Sequence, residues 1–171
     1  MTPASPATAP APQPWVIHCD GSAQPNPGRM GLGATLRAPD GVLHTLSQHP
    51  STSGCNNEAE ALALLAALQQ AHALGARHAQ VFSDSTILVE QLAPAHAGTP
   101  QALPPKPPPQ RIAPLLADAR AWLARFDSVQ LQWIPRHRNT AADALARAAL
   151  GMPPKPAALP KGRVIKRKRK P

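Results

Sequence analysis

Four acidic residues stand in short local patterns that suit the binding of a metal ion. The chain has 9 acidic residues against 18 basic ones, so carboxylates are scarce in it. A protein that attracts polyanions is expected to keep few carboxylates near its ligand unless a cation needs them. The four are Asp20 in His-Cys-Asp-Gly-Ser, Glu60 in Asn-Asn-Glu-Ala-Glu, Asp84 in Phe-Ser-Asp-Ser and Asp143 in Ala-Ala-Asp-Ala-Leu. Such oxygen ligands suit a hard cation, Mg2+ or Mn2+.

The elements predicted around these acids would bring them to one place. Asp20 ends an apolar run of strand formers that begins at Trp15, and Asp84 directly follows a second strand that begins at His78. The other two acids lie in the first turns of two helices. Taken singly, each is as well explained as a turn or helix-start residue. Together, at strand ends of an open sheet, they predict a ligand site. Two ions about 3.5–4 Å apart there could activate water for phosphodiester hydrolysis.

The remaining segments predict a mixed α/β sheet flanked by helices. The order is three strands, a helix, a strand, two helices, a strand and a helix. A turn at Pro39-Asp40-Gly41 predicts a hairpin, so the first three strands are expected to be antiparallel. We expect Asn139 to cap the last helix and Ser83 or Asp84 to cap the second. The predicted helices cover 57–74, 85–92, 112–126 and 140–150.

The chain is long enough, at 171 residues, for one domain of ordinary size. We expect a disordered Pro/Ala-rich arm over 1–14, a folded domain over 15–151 and a flexible basic tail over 152–171. Within the domain, 94–109 predicts an extended Pro-rich loop. The net charge of +9 and the pI near 10.8 favour a nucleic acid as partner, although a generic sticky tail is the alternative.

The cysteines and the hydropathy favour a reducing cytoplasm. Cys19 and Cys55 belong to no C-x-x-C pair, so neither a zinc site nor a disulfide is expected. No run of eighteen apolar residues is present, and the N-terminus lacks the pattern of a signal peptide. We therefore expect no membrane partner. We also expect the protein to be a monomer.

Four motifs in register make the chain resemble ribonuclease HI, the type 1 ribonuclease H family. The resemblance covers about residues 15–150, and its motifs are Asp20-Gly-Ser…Asn-Pro-Gly28, Asn56-Asn-x-x-Glu60, Ser83-Asp84-Ser85 and Asn139…Asp143-Ala-Leu-Ala-Arg147. It implies the ribonuclease H fold, a five-stranded mixed sheet flanked by helices. It also implies endonucleolytic hydrolysis of the RNA strand of RNA–DNA hybrids, leaving 5′-phosphate and 3′-hydroxyl ends.

The resemblance also assigns the metal ligands. It implies that two Mg2+ or Mn2+ ions are held by Asp20, Glu60, Asp84 and Asp143, which are then the catalytic acids. Glu58 and Glu60 both flank the leucine stripe of their helix, so periodicity does not choose between them. The family pattern chooses Glu60 and places it near the ribose 2′-hydroxyl, the group that distinguishes RNA from DNA.

Contacts to nucleic acid follow from matching positions and from charge. Asn26, Asn56 and Asn57 match family positions that contact the substrate. The family's basic protrusion is absent, so we expect the duplex to be held by other cations: Arg136, Arg138, Lys166, Arg167, Lys168, Arg169 and Lys170. His137 stands where a loop histidine of relatives moves protons or helps product release, although a solvated loop histidine is an equal alternative. Cys55 replaces a common threonine, and a thiol is the weaker hydrogen-bonding group.

Two other functions fit parts of the sequence. The compact last loop resembles the archaeal-type branch, some members of which are similar in also cleaving double-stranded RNA. A catalytically silent nucleic-acid-binding module would explain the basic tail and the missing protrusion. The complete set of four acids argues against the silent module, because a binder gains nothing from carboxylates that face phosphates.

Deleting residues 161–171 should weaken binding to a hybrid and reduce the dependence of binding on salt, because lysines and arginines release counterions from phosphates. Fluorescence anisotropy with a labelled hybrid, repeated over a series of salt concentrations, measures both effects. A salt slope equal to that of the full chain would show that the tail is a bystander.

Overall fold

A mixed β-sheet carries the fold. The computed structural model describes residues 11–93 and 106–156. Five strands follow the order β3-β2-β1-β5-β6, and a sixth, two-residue strand pairs with β2. The strands are β1 (Trp15–Gln24), β2 (Gly28–Arg37), β3 (Leu43–Gln48), β4 (Ser53–Gly54), β5 (His78–Ser83) and β6 (Ser128–Trp133). Strands β1 to β3 are antiparallel, whereas β5 is parallel to β1 and to β6. The predicted five-stranded mixed sheet is confirmed, with β4 as an addition.

Four α-helices cover the two faces of this sheet. They are α1 (Asn56–Ala73), α2 (Thr86–Leu92), α3 (Ala113–Leu123) and α4 (Thr140–Ala149). Helices α1, α2 and α3 share one core with the sheet, and α4 packs on β1, β2 and β3. The order of elements agrees with the sequence prediction. Within the described part of the chain, no helix is long and apolar enough to cross a membrane.

Helix α1 buries a wider part of its surface than the single stripe that its leucines predict. Leu64, Leu65 and Leu68 are buried as expected, and Leu62 is half-buried at the margin. Five alanines of the helix are buried as well, because α1 lies between the sheet and α3. The small side chains allow close packing on both sides. The helix is followed by Gly75, whose φ of +95° is a conformation that favours glycine.

Strand β1 does not end at Asp20, as the sequence indicated. It continues to Gln24, because its antiparallel pairing with β2 extends from Val16 to Gln24. Only the parallel pairing with β5 ends early, at His18 opposite Phe82. Continuing that register by two residues places Asp20 opposite Asp84. Asp20 therefore lies beyond the end of the pairing with β5, although it is still paired with β2.

The two predicted helix caps are also different in the structure. Ser85, rather than Ser83 or Asp84, is the N-cap of α2, and its hydroxyl accepts the Leu88 N–H at 3.5 Å. Asn139 occupies the N-cap position of α4, but its side chain makes no capping bond there. Its amide group is bound elsewhere, to groups that belong to the candidate site. The predicted arm over 1–14, the Pro-rich loop and the basic tail lie largely outside the described residues.

Glycines allow two helices to touch the backbone of the sheet. A Cβ atom at Gly33 on β2 would lie 2.2 Å from the Ala142 carbonyl oxygen of α4. A Cβ atom at Gly21 on β1 would lie 2.1 Å from the Ala59 carbonyl carbon of α1. Both distances are far below ordinary van der Waals contact, and in each case the obstacle is backbone. The two helices could not lie where they do if these positions carried side chains.

Replacing Gly33 by Ala should destabilise the fold by about 1–3 kcal/mol, because α4 must move away from β2 to make room. Denaturation by urea measures the loss. Gly54→Ala is the matched control and should cost less, since the nearest atoms to its added methyl belong to the side chains of Met30 and Glu58, at 2.8 and 2.9 Å, and not to backbone. Equal losses in the two variants would contradict the role given to the close approach of α4.

Candidate active site

The four acids named above meet at one edge of the sheet. Asp20 lies on β1, Glu60 near the start of α1, and Asp143 in the first turn of α4. These three line one cleft of about 250 Å3. Asp84, directly after β5, adjoins the cleft through Arg136, which lines it and contacts the Asp84 carboxylate. Four segments that are distant in sequence thus deliver their carboxylates to a common region.

Burial and like charge together disfavour the ionised form of Asp20. Asp20 is only 8% exposed. This burial, followed by the nearby carboxylates of Asp84, Asp143 and Glu60, raises the pKa of Asp20 to about 8. Burial also raises the pKa of Glu60, against the hydrogen bond from the Ser85 hydroxyl, which lowers it. A divalent cation would relieve this accumulation of negative charge, so the oxygen-only donor set fits a hard metal ion.

Asp84 is fixed by two donors that together engage both of its oxygens. Asn139 Nδ2 donates to Asp84 Oδ1 at 2.8 Å, and Arg136 Nε donates to Asp84 Oδ2 at 3.1 Å. Asn139 Nδ2 also donates to the Cys19 carbonyl oxygen at 2.9 Å. Asn139 is only 2% exposed, so it ties the start of α4 to β1 and to the end of β5 in the protein interior. The sequence indicated Asn139 only as a helix cap, and nothing in its local pattern reveals this second use.

Asp143 also has a cationic partner, which the sequence did not identify. Lys155 Nζ lies 2.5 Å from Asp143 Oδ1, and Lys155 lines the cleft together with Asp20 and Glu60. Residues 152–156, which the sequence assigns to the tail, lie against the site in the structure. A lysine twelve residues after the last acid gives no local signal, because its position depends on how the chain turns after α4.

The four carboxylates are not yet arranged around a common point. Among residues 11–93 and 106–156, no group of three or more His, Cys, Asp or Glu side chains forms a ready metal-binding cluster. The contacts above explain why: Asp84 faces Arg136, Asp143 faces Lys155 and Glu60 faces Ser85. A metal ion that binds Asp84 or Asp143 would compete with the positive charge that already contacts that carboxylate.

The structure separates the two glutamates that periodicity could not. Glu58 Oε2 accepts the Cys55 N–H at 2.7 Å, which commits the side chain to the first turn of α1. That bond lowers the pKa of Glu58, because it favours the charged form. Glu60 instead lines the cleft with Asp20. The geometry thus agrees with the choice that the family pattern makes.

The expected nucleic-acid contacts are distributed over more than one surface. Asn26 and Asn56 line the cleft, where Asn56 Oδ1 accepts the Ala23 N–H at 2.8 Å and Asn26 Oδ1 accepts the Asn56 N–H at 3.1 Å. Asn57 is half-exposed on α1. The side-chain oxygens of Asn26 and Asn56 thus join β1, the turn after it and α1 to one another.

The three residues of the loop before α4 lie around three hollows, and Arg136 lines two of them. Arg136 lines the cleft of the acids. His137 is exposed and shares an adjacent hollow with Asp143 and Lys155. Arg138 lines a separate cleft on the α4 face, which it shares with His18. The tail residues Lys166, Arg167, Lys168, Arg169 and Lys170 lie outside the described residues.

Comparison with known proteins points to one group of relatives. Residues 18–149 match the family described as reverse transcriptase-like. The chain is 35% identical over 136 residues to the bifunctional protein Rv2228c of Mycobacterium tuberculosis, a match that covers 79% of this chain and 35% of that protein. It is 32% identical over 133 residues to ribonuclease HI of Halobacterium salinarum, covering 78% of this chain and 62% of the relative. The chain thus spans about a third of the first relative and less than two thirds of the second.

Solved structures give the same grouping. The N-terminal RNase H domain of Rv2228c from Mycobacterium tuberculosis superposes with a TM-score of 0.68 at 33% identity, covering 80% of this chain and 98% of the domain. LC11-RNase H1, solved in complex with an RNA/DNA hybrid, gives a TM-score of 0.66 at 25% identity and covers 80% of this chain and 96% of its own. The likeness therefore extends over nearly the whole of each of these two matched chains.

The raised pKa of Asp20 predicts a pH-dependent stability. The folded chain holds the Asp20 proton up to about pH 8, whereas the unfolded chain loses it near the ordinary value of 3.8. The folded chain binds more protons between these values, so this group lowers the free energy of unfolding as the pH rises from about 4 to about 8. Asp20→Asn should therefore raise the melting temperature at pH 8, in the presence of a chelator, and change it little near pH 4.

Thermal denaturation across this pH range measures the effect. Asp118→Asn, at an exposed position on α3, is the matched control and should follow the unmodified chain at every pH. If Asp20→Asn and the unmodified chain lose stability in parallel as the pH rises, Asp20 does not carry the charge stress assigned to it.

Proposed function

This chain belongs to the ribonuclease H family, and on that premise we propose that it is a metal-dependent endoribonuclease that hydrolyses the RNA strand of RNA–DNA hybrids. The products would carry 5′-phosphate and 3′-hydroxyl ends. The observation that carries the proposal is the meeting of Asp20, Glu60, Asp84 and Asp143 at one sheet edge in an otherwise basic chain. The structure of a relative with an RNA/DNA hybrid supports the choice of substrate.

The proposed metal ligands are the four carboxylates. Two Mg2+ or Mn2+ ions held by them would activate the attacking water and stabilise the leaving oxygen. The like charge that raises the pKa of Asp20 is a reason for such ions to bind. Because Asp20 is buried among the other acids, it is the ligand that depends most on a cation for its charged form.

Other side chains would position these ligands. Asn139 fixes the orientation of the Asp84 carboxylate from the protein interior, and the Ser85 hydroxyl donates to Glu60. Buried partners of this kind reduce the number of orientations that a ligand can adopt before the ion arrives.

The proposed substrate contacts lie around the same cleft. Asn26 and Asn56 use their side-chain oxygens in bonds to backbone amides, so their NH2 groups can donate to phosphate oxygens or to a ribose hydroxyl. Arg136 is exposed at the cleft and adds a positive charge there. Outside the cleft, the proposed contacts to nucleic acid come from Asn57, His137, Arg138 and the basic tail. We also propose that His137 moves protons, as the loop histidine of the family does.

One observation favours a catalytically silent binding module as the second candidate. Arg136 and Lys155 already place positive charges on two of the four acids. A chain whose own cations replaced the metal ions could keep the fold and bind nucleic acid without cleaving it. A cleavage assay separates the two candidates directly.

Asp84→Asn should abolish cleavage of a labelled RNA–DNA hybrid while leaving hybrid binding largely intact, because it removes a metal ligand but keeps the hydrogen-bonding shape. The assay uses Mg2+, Mn2+ and a chelator, and gel electrophoresis identifies the ends of the products. Asp118→Asn on the exposed side of α3 is the control and should cleave normally. The same assay with double-stranded RNA and double-stranded DNA tests the breadth of the substrate class.

Failure of the folded, unmodified chain to cleave the hybrid with either metal would rule out the proposed activity. Binding of the hybrid in that case would establish the silent module instead. Cleavage of double-stranded RNA at a rate equal to or above that of the hybrid would overturn the hybrid preference while keeping the nuclease.

A further inference from the structure

The chain turns back toward the acids immediately after α4. Gly151 adopts a φ of +72°, and its N–H donates to the Ala148 carbonyl oxygen at 2.9 Å. The Met152 N–H donates to the Arg147 carbonyl oxygen at 2.9 Å, and Arg147 Nε donates to the Pro153 carbonyl oxygen at 2.8 Å. We call residues 151–156 the strap. Its three prolines restrict the backbone, so these few bonds are enough to direct the strap along α4.

The strap delivers one charged group to the cleft. Lys155 Nζ lies 2.5 Å from Asp143 Oδ1, so an ammonium and a carboxylate are joined by a charge-assisted hydrogen bond, a kind that is stronger than a neutral one. The Asp143 side chain is 15% exposed, and that of Lys155 is 50% exposed. The contact therefore lies at the mouth of the cleft, where the ammonium can leave into solvent without unfolding the chain.

We propose that Lys155 is a built-in counterion that competes with the metal for Asp143, so that metal binding and docking of the strap oppose each other. The inference rests on the proposed function, because it takes Asp143 as a metal ligand. Two cations in contact with one carboxylate oxygen would repel each other strongly in this partly buried place. The ion must therefore displace Lys155, and docking of Lys155 must weaken binding of the ion by the same factor.

Lys155 suits this role better than the other cation in the cleft. Arg136 lies in the turn that joins β6 to α4, and its side chain, 77% exposed, contacts an Asp84 carboxylate that Asn139 also holds. Lys155 lies on a segment that follows the last helix and is bound to the rest of the chain by the few bonds named above. Releasing Lys155 and the strap thus disturbs neither the sheet nor α4, whereas the segment of Arg136 is joined directly to β6 and to α4.

Titration of Mn2+ into the full metal-free chain, followed by calorimetry, tests this coupling. Lys155→Met removes the charge and keeps the aliphatic stem, so it should bind Mn2+ more tightly by about 5- to 150-fold, the usual range of coupling between two sites. Lys155→Arg keeps the charge and should stay close to the unmodified chain. Lys106→Met, at an exposed lysine far along the sequence, is the control for charge alone. In a chelator, Lys155→Met should also melt at a lower temperature, because Asp143 then lacks its counterion.

Asp143→Asn shows which binding event belongs to the cleft. If Mn2+ binds in a manner that needs Asp143, and Lys155→Met binds it with equal or lower affinity than the unmodified chain, the competition does not exist and the inference is overturned. If the unmodified chain shows no Mn2+ binding that depends on Asp143, the metal site itself fails, and the inference fails with it. Tighter binding in both Lys155→Met and Lys106→Met would reduce the effect to net charge and would also overturn it.

Discussion

The close approach of two helices to the sheet is the constraint on which the site depends. Helix α4 touches the backbone of β2 over Gly33, and α1 touches the backbone of β1 over Gly21. Gly33 pairs directly with Asp20 across the two strands, so α4 lies next to Asp20 when it rests on Gly33. Asp143 in the first turn of α4 and Glu60 near the start of α1 are thereby brought to Asp20 from opposite faces. A side chain at either glycine would separate the acids by pushing a helix away.

Bringing these acids together creates an electrostatic problem that the chain solves locally. Asp20 has a raised pKa because it is buried beside Asp84, Asp143 and Glu60. Arg136 on Asp84 and Lys155 on Asp143 offset part of this charge. The partners of the four acids are thus of two kinds. Neutral groups such as Asn139 orient a carboxylate, whereas the two cations take places that a metal ion would otherwise fill.

Much of the fold could be predicted because it depends on local patterns. Strand runs such as His78–Ser83 and the alanine- and leucine-rich helix α1 are properties of neighbouring residues, and they appear within a few residues of their predicted bounds. The predicted end of β1 was wrong because the strand pairs with β2 as far as Gln24 but with β5 only as far as His18. The sequence of β1 alone does not reveal where each pairing stops. The roles of Asn139 and Lys155 were missed for a similar reason, since each depends on contacts with residues that are distant in sequence or on a turn of the chain.

The meeting of the four acids was foreseen from their places in the predicted elements, but their present partners were not. The family pattern selected Glu60, and the bond from Cys55 N–H to Glu58 now gives a physical reason. On this view of the site, the four acids hold metal ions together. Anomalous diffraction from crystals of the chain grown with Mn2+ tests it most directly. We predict Mn2+ in contact with the carboxylates of Asp20 and its three neighbours, with Lys155 moved away from Asp143. Crystals saturated with Mn2+ that show no ion there, and Lys155 still bound to Asp143, would contradict the account.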